Sequence, residues 1–196
     1  MAGRERAAKL AYRQSAPDRE LTREAALDAV VRLTRVIGAG RDMERVFDAF
    51  AEEIRHFLPF DRCSFGYYDA AAHTLLVTHV RGRLPHYPDD GDVVSLAAAA
   101  AGLVAEDRRP FINVIGAEDR FREDIFRRAA GVVEAVLLPV VVDDAVVGVL
   151  ALSSRQAGVY RPEDLWFLET IADHFGLAVA ATNLRRDAER RAARAP

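Results

Sequence analysis

Cysteine is almost absent from this chain: Cys63 is the only one in 196 residues. A single thiol excludes an intrachain disulfide framework and a cysteine-rich zinc site, and a reducing compartment suits it best. Lysine is as scarce, since Lys9 stands alone among 27 basic residues while Ala is abundant. That bias reads as a GC-rich genome and carries no mechanism. Long apolar runs are missing too. None approaches the roughly 20 residues that span a bilayer, and MAGRERAAKLAYRQSAPDRE lacks the apolar centre of a signal peptide, which predicts a cytoplasmic protein with no membrane partner. Excess charge is small, a net −3, so no direct nucleic-acid partner is expected. There is no Ser-His-Asp or Cys-His grouping, no glycine-rich phosphate loop, no metal motif and no internal repeat. Nothing in the pattern is catalytic, and the expectation is that the chain is not an enzyme.

What is present is enough apolar residue, 51 % against 29 % charged, for one packed core of roughly 150 residues. Residues 1–20 are polar and predict an arm, flexible or helical. From Leu21, Ala26, Val30, Leu33 and Ile37 share one helical face that should end near Gly38 and Gly40. Asp42 suits an N-cap, and Met43, Val46, Phe47, Phe50, Ile54 and Phe57 give a second helix its buried stripe. The period then drops to two. RCSFGYYD (62–69) and HTLLVTHVR (73–81) predict a hairpin, followed by a polar loop over 82–92. Ser95 is placed to cap a helix reaching about Asp107, and PFINVI (110–115) predicts a short strand after Arg109-Pro110. A charged helix is expected over 117–130, closed by Gly131. Strands at 132–142 and 145–155 follow, turned by Asp143-Asp144. The last helix opens at Pro162 and buries Leu165, Leu168, Ala172, Phe175, Val179 and Thr182. This order predicts an α+β sandwich: an antiparallel sheet with the first, second and last helices on one face and short helices and loops over the other.

Four segments carry a family resemblance. FDRCSFGYYD (60–69), AEDRRPFINVI (105–115), GVVEAVLLPVVVDDAVVGVLALSS (131–154) and YRPEDLWFLETIADHFGLAVAATNL (160–184) resemble, in order and spacing, successive pieces of the GAF domain, a PAS-like sensor fold of bacterial signalling proteins. The resemblance covers residues 21–184, and leaves 185–196 as a charged helical extension. It implies a small-molecule-sensing regulatory domain in signal transduction or transcription control, with a kinase or transcription-control output partner. Two rival readings are a ligand-free dimerisation or scaffold module and a GAF-type free methionine sulfoxide reductase. The subclass residues of cyclic-nucleotide binders are missing, because Asn113 is followed by Val114, and Phe121 by Ile125 and Phe126. No cysteine stands where a bilin would attach, and the reductases rely on several cysteines.

Strand alternation suggests where a ligand would lie. Ser64, Gly66 and Tyr68 share one face of the first strand while Cys63, Phe65 and Tyr67 share the other; Ala135 and Leu137, and Ala151 and Ser153, occupy matching positions on the last two strands. The resemblance implies that this smaller, mixed face lines the pocket, with Asn113, Phe121 and Phe126 closing it. A filled second core is the competing reading. Cys63, alternating with Phe65 and Tyr67, fits a core thiol better than a redox switch, although Arg62 beside it would favour a thiolate. His73 and His79 lie about 20 Å apart by strand rise, too far to share a metal. His56, His86 and His174 stand singly, so no metal site is expected, and the cofactor is unknown with a haem on one histidine left open. The extension at 185–194 mixes signs at Asp187 and Glu189 and reads as solvated helix. The closing helix also carries Phe167, Ile171 and Ala178 on a second apolar face, which predicts a homodimer built on the terminal helices.

Overall fold

A computed structural model describes residues 23–39 and 42–192; the arm expected over 1–20 lies outside them. The elements in chain order are α1 (Arg23–Ala39), α2 (Met43–Phe57), β1 (Arg62–Asp69), β2 (Thr74–Arg81), β3 (Val93–Ser95), α3 (Ala100–Asp107), β4 (Phe111–Val114), α4 (Asp124–Ala129), β5 (Glu134–Val142), β6 (Ala145–Ser154), a 3-10 turn (Pro162–Asp164) and α5 (Leu165–Ala192). The six strands form one antiparallel sheet in the order β3-β2-β1-β6-β5-β4. The fold is the expected α+β sandwich.

Register turns the alternation of single strands into two faces. Cys63 pairs with Leu152 and Leu152 with Val136, while Phe65 pairs with Leu150 and Leu150 with Leu138. These rows face the helices and form the main core with Leu33, Phe47, Phe50, Ile54, Phe167 and Phe175. The opposite rows are Arg62, Ser153, Ala135 and Asn113, then Ser64, Ala151, Leu137 and Phe111. They face the loops and short helices. Gly148 is required where β6 crosses β1, since a Cβ there would collide with the Phe65 ring and the Gly66 carbonyl. Asp143 and Asp144 hold positive φ of 47° and 60°, the conformation whose twist matches a two-residue hairpin.

Several expectations are corrected. The helix after β3 starts at Ala100, not at Ser95; Ser95 ends the strand, its Oγ accepts from the Ala97 N–H, and the Ala100 N–H is taken by Glu123 Oε1 at 2.7 Å. The charged segment is helical only over Asp124–Ala129, because the Asp124 carboxylate accepts the Arg120 and Phe121 N–H groups and folds them into a turn. His73 sits in the turn before β2 with φ of 52°, outside the strand. On α1 the buried stripe is Ala26, Ala29 and Leu33, with Val30 only half-buried. The largest correction concerns α5. Phe167, Ile171 and Ala178 are buried within the same chain, because α1 and α2 pack beside α5 and leave neither apolar face of its first half wet.

Candidate functional site

Beneath the loop that joins β2 to β3, between the sheet and α4, lies a cavity of about 630 Å³. Its floor is apolar: Leu75 and Val77 of β2, Leu137 of β5, and Val149 and Ala151 of β6. Leu96 and Ala99 close one side ahead of α3, and Arg122, Glu123, Phe126 and Arg127 come down from the α4 segment. Arg62 and Ser153, paired across β1 and β6, meet Tyr87 of the loop at the polar end.

The polar end is built by three connections. Arg62 donates through Nη1 to the Gly82 carbonyl at 3.4 Å and through Nη2 to the Pro88 carbonyl, and its guanidinium lies 5.2 Å from the centre of the Tyr87 ring. This ties the loop to the sheet. Arg127 donates to Asp124 Oδ1 at 3.2 Å and Glu123 Oε1 at 3.4 Å, and Asn113 Nδ2 donates to the same Asp124 oxygen at 2.7 Å. This fixes α4 to β4. The Tyr87 hydroxyl has Arg127 and Ser153 beside it, and burial raises its pKa, so the phenol is a neutral donor at pH 7. Burial likewise lowers the pKa of Arg62, opposed by Tyr87 and Asp89; an arginine nevertheless keeps its proton at neutral pH.

Of the ten residues expected to line a pocket, Ser64, Gly66, Phe126, Leu137, Ala151 and Ser153 stand on the cavity wall. The other four lie around it. Ala135 is fully buried in the same sheet face, and Asn113 spends its amide on Asp124. Phe121 packs edge-on against Phe111, with Arg120 over both rings. Tyr68 meets His73 at the far end of β1. Sequence reasoning missed Arg62, Tyr87, Glu123 and Arg127. Arg62 had a signal, for it lies two residues before Ser64 and so on the same strand face. Tyr87 and Arg127 had none, being brought in by a loop and a short helix.

A smaller hollow of about 380 Å³ lies between Pro110, Pro139 and the exposed Trp166, Glu169 and Asp173. It is a surface trough without a buried polar group. Cys63 is fully buried on the helix side of β1, away from the cavity, and burial pushes its thiol up to about 12. At pH 7 on the order of one molecule in 10⁵ would carry the thiolate that nucleophilic or redox chemistry requires. Among the described residues no group of three or more His, Cys, Asp or Glu side chains could hold a metal ion, and no helix is long and apolar enough to cross a membrane.

A family profile described as GAF domain matches residues 40–180. The chain belongs to the GAF family. Solved structures share the architecture. The GAF domain of an Acinetobacter phosphoenolpyruvate-protein phosphotransferase is 18 % identical with a TM-score of 0.67, over 85 % of this chain and 99 % of that one. The GAF domain of a two-component sensor histidine kinase from Bacillus halodurans is 20 % identical with a TM-score of 0.66, over 74 % and 99 %. The free methionine-R-sulfoxide reductase of Neisseria meningitidis, in complex with its substrate, is 13 % identical with a TM-score of 0.67, over 87 % and 99 %. At these identities the likeness establishes the shared GAF fold. No curated protein sequence matches the chain.

Proposed function

We propose that this GAF domain is a small-molecule-sensing regulatory module in signal transduction or transcription control. The observation that carries the reading is the cavity itself, about 630 Å³. Its size falls within the roughly 300–1,000 Å³ of small-molecule sites, and its apolar floor with a few convergent polar groups matches their usual make-up. GAF domains of the same fold occur in a sensor histidine kinase, and a methyl-accepting chemotaxis protein shares the architecture. Occupancy has a direct route outward. Ala151 and Leu137 touch the cavity, while their strand neighbours Leu150, Leu152 and Leu138 belong to the core that holds α5. A ligand that shifts the sheet therefore shifts α5, and through it a kinase or transcription-control partner. The reading includes no catalysis, because the single thiol is buried away from the cavity.

Ala151→Phe tests the cavity. The added ring should enter the empty space, costing less than the roughly 1–3 kcal/mol of overpacking a filled core. Native mass spectra of protein purified from its own host should show a retained small molecule in the parent and none in the variant. A loss above about 3 kcal/mol with identical, ligand-free spectra would instead mark a filled second core.

The relay is proposed to act in a homodimer. With Phe167, Ile171 and Ala178 buried inside the chain, its seam is assigned to the exposed Leu27 and Val31 on α1 and Leu177 and Leu184 on α5, spaced four and seven apart. Sedimentation at micromolar concentration should give twice the 21.6 kDa monomer mass, and Leu177→Glu with Leu184→Glu should give the monomer. A single monomer species of the parent over a hundredfold concentration range would rule the dimer out. The same stripe favours the second reading, a ligand-free dimerisation module, which holds if the dimer forms and the cavity takes nothing.

A further inference from the structure

The charges at the polar end of the cavity narrow the chemistry of its ligand, on the reading that the cavity is a ligand site. Arg62 is only 3 % exposed. Both of its described hydrogen bonds go to neutral backbone carbonyls, those of Gly82 and Pro88. Among the described residues no carboxylate stands within ion-pair distance of it; Asp89 acts from farther off. Arg127, also buried, is in contrast already matched by Asp124 and Glu123. Arg127 Nε, the Tyr87 hydroxyl and Glu123 Oε2 are all buried there without a well-formed hydrogen bond, although Arg127 and Ser153 stand beside the Tyr87 hydroxyl. Asp92, on the same wall, spends an oxygen on the Asp89 N–H.

A buried guanidinium with no carboxylate at ion-pair distance is costly unless something pairs with it, and two incompletely bonded donors beside it raise the cost. Arg62 and Arg127 are equalled in number by Glu123 and Asp124, but both carboxylates are spent on Arg127, and Arg62 has none among the described residues within ion-pair distance. A phosphate group, at −1.5 to −2, carries more charge than one guanidinium balances and would stand against Glu123 and Asp124. A carboxylate supplies one negative charge and accepts from a guanidinium and a phenol together. The floor of Leu75, Val77, Leu137 and Val149 takes only hydrocarbon. We infer that the cavity binds a small organic monocarboxylate, its carboxylate received by Arg62 and Tyr87 with Arg127 and Ser153 beside them, and its apolar body laid along the sheet.

Titration calorimetry and thermal melting of the full chain would use hexanoate and 3-phenylpropanoate, their two amides, and hexyl phosphate. At least one carboxylate should bind and raise the melting temperature, with its amide and hexyl phosphate at least tenfold weaker. Arg62→Gln should weaken that carboxylate about 10- to 100-fold, the range expected for a charge-assisted hydrogen bond. Tyr87→Phe keeps the ring under Arg62 and serves if Arg62→Gln loosens the loop; it should weaken binding about fivefold or more. Equal affinity for a carboxylate and its amide, or carboxylate binding unchanged in both variants, overturns the assignment. If an amide or hexyl phosphate binds best and Ala151→Phe abolishes it, the cavity reading stands and the carboxylate falls. If no probe binds, the carboxylate falls, and the native mass spectra decide the cavity separately.

Discussion

Phe175→Ala is expected to lower the stability of the domain by about 3–5 kcal/mol, the cost of emptying a fully packed aromatic site. Phe175 has no exposed surface and meets three rings edge-on: Phe47 at 6.0 Å, Phe50 at 5.0 Å and Phe65 at 4.9 Å. Each such pair adds about 0.5–1.5 kcal/mol to simple burial. The three partners come from α2 and β1, so the surrounding walls cannot all collapse toward one vacancy. For a domain of this size the melting temperature should fall by roughly 10 °C. Phe126→Ala, on the half-open rim of the cavity at 43 % exposed, serves as the control and should cost under about 1 kcal/mol. Equal losses for the two variants in chemical denaturation would contradict the placement of the core. Phe65 lies on β1 between Ser64 and Gly66, which line the cavity, so the aromatic group centred on Phe175 joins β1 to α5. The variant that empties it should weaken any ligand-induced change in α5 even under conditions where the domain stays folded.

Glu134→Ala is expected to cost about 2–6 kcal/mol, because it leaves two buried donors with no acceptor at about 1–3 kcal/mol each. Glu134 opens β5 with no exposed surface, and its carboxylate accepts the Gly158 N–H at 3.0 Å and the Tyr160 N–H at 2.7 Å. Those two amides belong to the connection between β6 and α5. The side chain therefore clamps the start of one strand to the approach of the closing helix, which explains a charge in an otherwise apolar interior. Glu134→Gln keeps one oxygen as an acceptor and should lose about half as much. Hydrogen exchange gives an independent measure: the Gly158 and Tyr160 amides should exchange much faster in the Ala variant, with the sheet amides of β1 and β6 changed only in proportion to global stability. An Ala variant within about 1 kcal/mol of the parent, with those amides still protected, would show that other groups hold the connection.

Local chemistry made much of the fold legible. The first hairpin strand was bounded correctly at 62–69 because alternating RCSFGYYD lies between Pro59 and an Ala-rich turn. The Asp143-Asp144 turn was legible because two residues between apolar strands leave few conformations. Asp42 caps α2 as its sequence indicates, accepting the Glu44 N–H. Alternation also separated Ser64, Leu137, Ala151 and Ser153 from Phe65, Leu138, Leu150 and Leu152, and register carried that division across the sheet. The misses share one cause. Ser95 has the chemistry of a helix cap, yet the first N–H of α3 finds its acceptor in the half-buried Glu123, 23 residues away. The charged segment has helical composition, yet Asp124 gathers the preceding amides into a turn so that it can also reach Asn113 and Arg127. Phe167, Ile171 and Ala178 suggested a wet face only because the sequence does not show how closely α1 and α2 flank α5.

By itself the sequence determined the order of most elements and the two faces of the sheet, since periodicity, capping and turn chemistry act over a few residues and survive in one dimension, and four of its segments carried the family resemblance. Only the tertiary structure shows an open space of about 630 Å³ over the mixed face, with Arg62, Tyr87 and Arg127 brought together beside it. They come from a strand, a loop and a short helix, and the cavity is what remains between β2, β6 and α4 once the apolar groups of each have packed. Such a space belongs to no segment, so no local pattern encodes it, and the burial of a charge follows from where the chain closes over it.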